Sequence, residues 1–117
     1  MNSEINCVFC KIAKLQIDAE LLYSDEFCFV VNDINPVSPV HLLIIPNFHY
    51  RNLQEIIKDF PKLFEQLIEI SYQLSQDFGV AETGFRLVIN QGDDAGQEIQ
   101  HFHMHLLGGR KLDFPSV

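Results

Sequence analysis

The sequence predicts an α+β fold, with about five antiparallel strands, one long helix on a face of the sheet and a short helix near the amino terminus. Two observations carry this. Apolar residues recur at helical spacing between positions 61 and 78, and short runs rich in β-branched and aromatic residues, separated by turn formers, lie on both sides of that stretch. The 117 residues form one domain over 1–117, and 47% hydrophobic content is ordinary for a globular chain of that size.

Residues 7–14 read as a short helix, because Val8, Ile12 and Leu15 recur at helical spacing. Residues 21–23 and 27–31 read as two short strands about the turn-like Ser24-Asp25-Glu26. Two prolines and several turn formers make 32–39 a loop, and 41–45 reads as a buried strand stopped by Pro46. A helix then starts at Pro61 and carries Leu63, Phe64, Leu67, Ile68, Ser71, Leu74 and Phe78 on one stripe, with Gly79 as its C-terminal cap. Residues 85–90 form a further strand, and a polar loop with two glycines, Gly92 and Gly96, leads into the last strand.

That last strand is the most telling. In His101-Phe102-His103-Met104-His105-Leu106-Leu107, histidine alternates with a bulky apolar residue, and three of the chain's five histidines fall within it. A period of two sends the histidines to one face and Phe102, Met104 and Leu106 to the other, with same-face neighbours about 6.6 Å apart. A purely structural row would set like charges side by side on mild acidification, so the row is read as chemical, its rings titrating near pH 6.5 when unperturbed. The glycine loop feeding it can turn backbone N–H groups toward an anion.

Eight basic against sixteen acidic residues give a formal charge of −8, which disfavours nucleic acid or an anionic membrane as partner. No apolar run approaches a membrane span, and the first ten residues lack the basic and apolar regions of a secretory signal, so a cytoplasmic location is expected. Three cysteines point to reduced thiols or a metal. Cys7-Val8-Phe9-Cys10 supplies half of a tetrahedral zinc site, and no preceding strand builds a thioredoxin-like unit. Cys28, between Phe27 and Phe29, reads as a small buried hydrophobe.

Asp33-Ile34-Asn35-Pro36, Pro39-Val40-His41-Leu42-Leu43-Ile44-Ile45-Pro46, Val88-Ile89-Asn90, Ala95-Gly96-Gln97-Glu98 and the run from His101 to Arg110 occur in this order across nearly the whole chain. Together they resemble the histidine triad (HIT) family, in its nucleoside phosphoramidase branch. The resemblance implies a HIT-like fold that dimerises into one continuous sheet, and hydrolysis of purine nucleoside phosphoramidates or aminoacyl-adenylate-like anhydrides to AMP. It implies His103 as nucleophile, forming a covalent nucleotidyl-histidine, with His101, His105 and His41 orienting it and handling protons. Asp33 matches the family's ribose-binding acid, although such an acid also caps turns. Phe9, Ile12, Ile34 and Leu43 map near the nucleobase slot, Asn90 to sugar or phosphate, and Gly96, Gln97 and Glu98 beside the phosphate, where backbone N–H groups and the Gln97 amide would meet its charge. Some relatives hold a structural zinc with residues matching Cys7, Cys10, His49 and His101; no cofactor is implied for catalysis itself.

Two departures stand out. Glu98 replaces a Ser or Thr that many relatives place near the leaving group, so either Glu98 or His105 protonates it. In the tail, Phe114 stands where some relatives set specificity with a Trp. Three readings follow from the residues: a metal-independent hydrolase acting through His103, a hydrolase with catalytic zinc on His101, His103 and His41, and a non-catalytic nucleotide-binding sensor or adaptor dimer. The first predicts activity that falls as pH drops through the apparent pKa of the cluster, nominally about 6.5.

Overall fold

Period-two alternation gives the sheet two buried faces, each covered by different helices. The computed structural model describes residues 6–113, so Phe114 and Pro115 of the tail lie outside it. Along the chain come α1 (Val8–Ala13), β1 (Tyr23–Ser24), β2 (Cys28–Asn32), β3 (Val40–Pro46), α2 (Leu53–Asp59), α3 (Lys62–Asp77), β4 (Phe85–Val88), a 3₁₀ turn (Asp93–Ala95) and β5 (Met104–Gly108). The strands form one antiparallel sheet of five, the number the sequence predicts, but in the order β1-β2-β3-β5-β4 rather than as a simple meander, because β5 inserts between β3 and β4.

On one face Cys28, Val30, Leu42, Ile44, Met104 and Leu106 pack with Ile56 of α2 and Leu63, Leu67 and Leu74 of α3. Their neighbours along the strands, Phe29, Val31, Leu43 and Ile45, pack on the other face with Cys7, Phe9 and Cys10 around α1. Phe102 joins the first cluster with Met104 and Leu106, so the apolar members of the histidine run are core.

Several elements differ from the sequence reading. The described region between β3 and β4 holds two helices, where one is expected. Asn52 caps α2 by accepting from the Glu55 amide at 3.0 Å, and the Glu55 carboxylate accepts from the Arg51 amide at 2.7 Å, a reciprocal cap that starts a helix on its own. Pro61 forces Phe60 into an extended φ of −152° and ends α2 there. α3 closes as expected at Gly79, whose φ of 75° lets Gly79 and Val80 donate to the Gln76 and Ser75 carbonyls at 3.1 and 2.8 Å.

α1 spans nearly the predicted residues but buries Phe9 and Cys10, while Val8 and Leu15 are 39% and 78% exposed. Six residues carry too little of a helical period to fix a face. On α3 the stripe holds for Leu63, Leu67, Ser71 and Leu74, whereas Ile68 and Phe78 are exposed. β1 is displaced to Tyr23–Ser24, β4 stops at Val88, and β5 starts only at Met104. The β3–β5 register pairs Ile44 with Met104, which would set Pro46, lacking an amide hydrogen, opposite residue 102. His101 and His103 therefore precede the ladder. No helix among the described residues is long and apolar enough to cross a membrane.

Candidate active site

β3 and β5 set the histidines. Leu43 pairs with His105 and His41 with Leu107, so His41 and His105 lie diagonally on the face opposite α2 and α3. His41 Nδ1 accepts from the Val37 amide at 3.1 Å, so its hydrogen sits on Nε2. That Nε2 lies 2.9 Å from His105 Nδ1 and 3.3 Å from Asp33 Oδ2. His105 Nδ1 is then an acceptor, and the hydrogen of the neutral His105 ring is on Nε2. Arg110 supports the start of this chain by donating to the Val37 carbonyl.

The middle histidine is tied differently. His103 Nδ1 donates to the His101 carbonyl at 2.8 Å, which leaves Nε2 as the lone-pair nitrogen. Its ring centroid is 5.3 Å from that of His105 and 5.2 Å from that of Phe9. Both His103 and His105 line a cavity of about 510 Å³. Asp33, Ile34, Asn90, Gly96, Gln97, Glu98, Phe9, Ile12, Leu43 and His41, all candidates from sequence, line it as well. Val8, Val31, Asn32, Asn35, Val37 and Ile99 complete the wall and were not singled out. Val31 pairs with Leu43 across β2 and β3, so its place on the same face follows from period two once the register is known.

Three expectations change in detail. His101 does not line the cavity; it is fully buried, with Nε2 donating to the Pro46 carbonyl at 2.8 Å, and its carbonyl accepts from His103 Nδ1. The catalytic-zinc set of His101, His103 and His41 is therefore not assembled: the groups of metal-capable side chains that converge among the described residues are Cys7, Cys10, His49 and His101, and Asp33, His41 and His105. The glycine loop spends its donors internally. The Gly96 and Gln97 amides bond to Asp93 and Gly92 carbonyls, and the Gln97 side chain accepts from the Gly92 amide at 2.9 Å and donates to the Ile99 carbonyl at 3.0 Å. Asp33 combines two readings, one oxygen capping the Asn35 amide at 2.8 Å and the other facing His41.

Electrostatics keep the flanking rings neutral. Burial pushes the His105 pKa down to about 4, and the neighbouring His103 and His41 rings push the same way against the pull of Asp33. Burial also lowers His41, with Asp33 opposing. Among the described residues no Lys or Arg lines the cavity, which instead carries the carboxylates of Asp33 and Glu98.

Behind the cavity wall lies the second cluster. Cys7 Sγ and Cys10 Sγ are 3.4 and 3.5 Å from His101 Nδ1, and Cys10 Sγ is 3.2 Å from His49 Nδ1. A tetrahedral zinc with two thiolates and two imidazoles has S···N edges of about 3.6 Å by its bond lengths. All four donor atoms lie within 4.8 Å of one another, and the Nε2 bond of His101 to Pro46 leaves Nδ1 as the nitrogen able to ligate. The donor set fits zinc. Cys28, by contrast, is wholly buried with its thiol pushed up to about 12 by burial, an inert core residue as expected.

This fold, with a histidine row bordering one cavity, is that of a known class: residues 14–112 match the HIT domain, and the chain belongs to that family. Among curated relatives, it is 35% identical over 105 residues to the purine nucleoside phosphoramidase of Escherichia coli strain K12, covering 90% of this chain and 88% of that protein. An uncharacterized HIT-like protein of Buchnera aphidicola subsp. Baizongia pistaciae is 38% identical over 106 residues, covering 91% of this chain and 95% of that one. A solved HIT family hydrolase from Legionella pneumophila Philadelphia 1 superposes with a TM-score of 0.89 at 40% identity, covering 94% and 98% of the two chains. A histidine triad protein from Clostridium difficile gives 0.90 at 36% identity, covering 95% and 96%.

Proposed function

We propose that this protein hydrolyses purine nucleoside phosphoramidates, or aminoacyl-adenylate-like compounds, to AMP through a covalent nucleotidyl-His103. The observation that carries the reading is the bond from His103 Nδ1 to the His101 carbonyl, which presents Nε2 as a nucleophile on a ring lining the cavity. The name of the Escherichia coli relative agrees with it. Nε2 attacks phosphorus while the P–N or P–O bond to the leaving group breaks. His105, hydrogen-bearing at Nε2, supplies the proton that the departing amine or carboxylate needs, with Glu98 the other candidate acid. Water then displaces His103 from phosphorus and returns a proton to His105 Nε2, giving AMP and restoring both rings.

Asp33 and Asn90, which line the cavity, would meet ribose hydroxyls and phosphate, and Phe9, Ile12, Ile34 and Leu43 from the same wall would meet the base. No cofactor takes part in this chemistry; zinc held by Cys7, Cys10, His49 and His101 would serve structure, tying chain segments together. The working form proposed is a cytoplasmic homodimer with a continuous sheet, acting on small nucleotides and not on nucleic acid or membranes. The test is His103→Ala assayed with an adenosine phosphoramidate: turnover should vanish while AMP binding and fold persist. Ordinary turnover by that variant rejects the mechanism, and AMP binding without turnover by the wild type favours the sensor or adaptor reading.

A further inference from the structure

We propose that the Cys7, Cys10, His49 and His101 cluster, loaded with a soft divalent cation such as zinc, positions the nucleophile and one wall of the cavity, so that metal and nucleotide bind cooperatively. This rests on reading the cavity as a nucleotide site. One residue joins the two centres: the His101 ring faces both thiols at 3.4 and 3.5 Å, while its carbonyl holds His103 Nδ1 at 2.8 Å. Moving that ring moves the acceptor that fixes the tautomer of His103.

A second route runs through α1. Phe9 lies between the two cysteines, its ring edge-on to His101 at 5.6 Å and near His103 at 5.2 Å, and it lines the cavity. α1 has only six residues, too few to hold its own conformation, so its place depends on tertiary ties. Thiol contacts at 3.2–3.5 Å to imidazoles are weak ties. Coordination replaces them with bonds linking α1 to the segments at His49 and His101. Ordering Phe9 and His103 for the nucleotide then favours the metal geometry, and the converse holds by the same factor.

The experiment measures zinc affinity of the wild-type protein by chelator competition, with and without saturating AMP, and AMP affinity of zinc-loaded and zinc-free protein by calorimetry. AMP is expected to tighten zinc binding about fivefold or more, and zinc to tighten AMP binding equally. Unchanged zinc affinity while AMP binds overturns the coupling and leaves the proposed function standing. Absence of AMP binding to either form overturns that function and the coupling with it, and absence of zinc binding overturns the coupling. Should circular dichroism show that the zinc-free chain unfolds, cadmium-113 NMR of the loaded protein decides: AMP should shift the resonance, and an unmoved resonance under saturating AMP overturns the coupling.

Discussion

In the proposed mechanism a single backbone acceptor chooses which nitrogen of His103 reacts. With Nδ1 committed to the His101 carbonyl, only Nε2 remains for phosphorus, and its loss should remove the covalent route entirely. For His103→Ala, kcat should fall on the order of 10⁴-fold or more, while the AMP dissociation constant stays within about tenfold. His105 has a different signature. Its folded pKa of about 4 lies below the ordinary value of 6.5, so in acid the unfolded chain takes up a proton that the folded ring refuses. Its contribution is intact above pH 6.5 and is lost as pH falls toward 4. The loss is on the order of 2 kcal/mol, discounted because the ring lines a water-accessible cavity. Denaturant titrations from pH 7 to 4 should show a shallower decline in His105→Gln than in wild type, and parallel curves would contradict this assignment. Neutral His105 also narrows the expectation from sequence: it contributes no limb to a rate profile between pH 5 and 8. The row of histidines was legible in its alternation, but the separation of His101 from the cavity was not. Alternation gives a face, and only the partners on α1 and β3 show where along that face each ring points.

Elements were legible where their period ran long enough. α3 carries four turns of pattern and a glycine stop, and both survive in the structure. α1 has six residues, and its buried face was misassigned for want of period. α2 is not anticipated from sequence, because its signal is only the cap Asn52-Leu53-Gln54-Glu55 with little apolar periodicity behind it. Asn52→Ala should cost about 1 kcal/mol, read as a lowered melting temperature with unchanged kcat, since α2 lies on the face away from the site. At the end of β5, Gly109 has a φ of 94°, and a Cβ there would sit 2.9 Å from Pro39 Cβ. Gly109→Ala should therefore destabilise by about 1–3 kcal/mol through strain and overpacking. A melting temperature equal to wild type would show that the Pro39 loop yields freely.

The whole molecule carries a formal charge of −8, and among the described residues its cavity is lined by two of the carboxylates and by no Lys or Arg. Long-range repulsion should slow the approach of an anionic nucleotide, and added salt should screen it. Raising ionic strength from about 20 to 150 mM should leave AMP affinity unchanged or improve it by up to about threefold. A steep loss of affinity with salt would contradict this and indicate capture by cations other than the described residues of the cavity wall. At this scale the sequence was most informative, because ordered motifs from Asp33 to Arg110 span the HIT fold that the sheet and its solved relatives display. The set Cys7, Cys10, His49 and His101 came from the resemblance alone, and its convergence from three distant segments is visible only in the structure.

The covalent step is tested most directly by rapid acid-free quenching of a reaction with an adenosine phosphoramidate, followed by peptide mapping in the mass spectrometer. An adenylyl group should be found on the peptide containing His103 and localised to that residue, and it should be absent from His103→Ala. An adduct on another residue, or rapid turnover with no adduct trapped under single-turnover conditions, would contradict the mechanism.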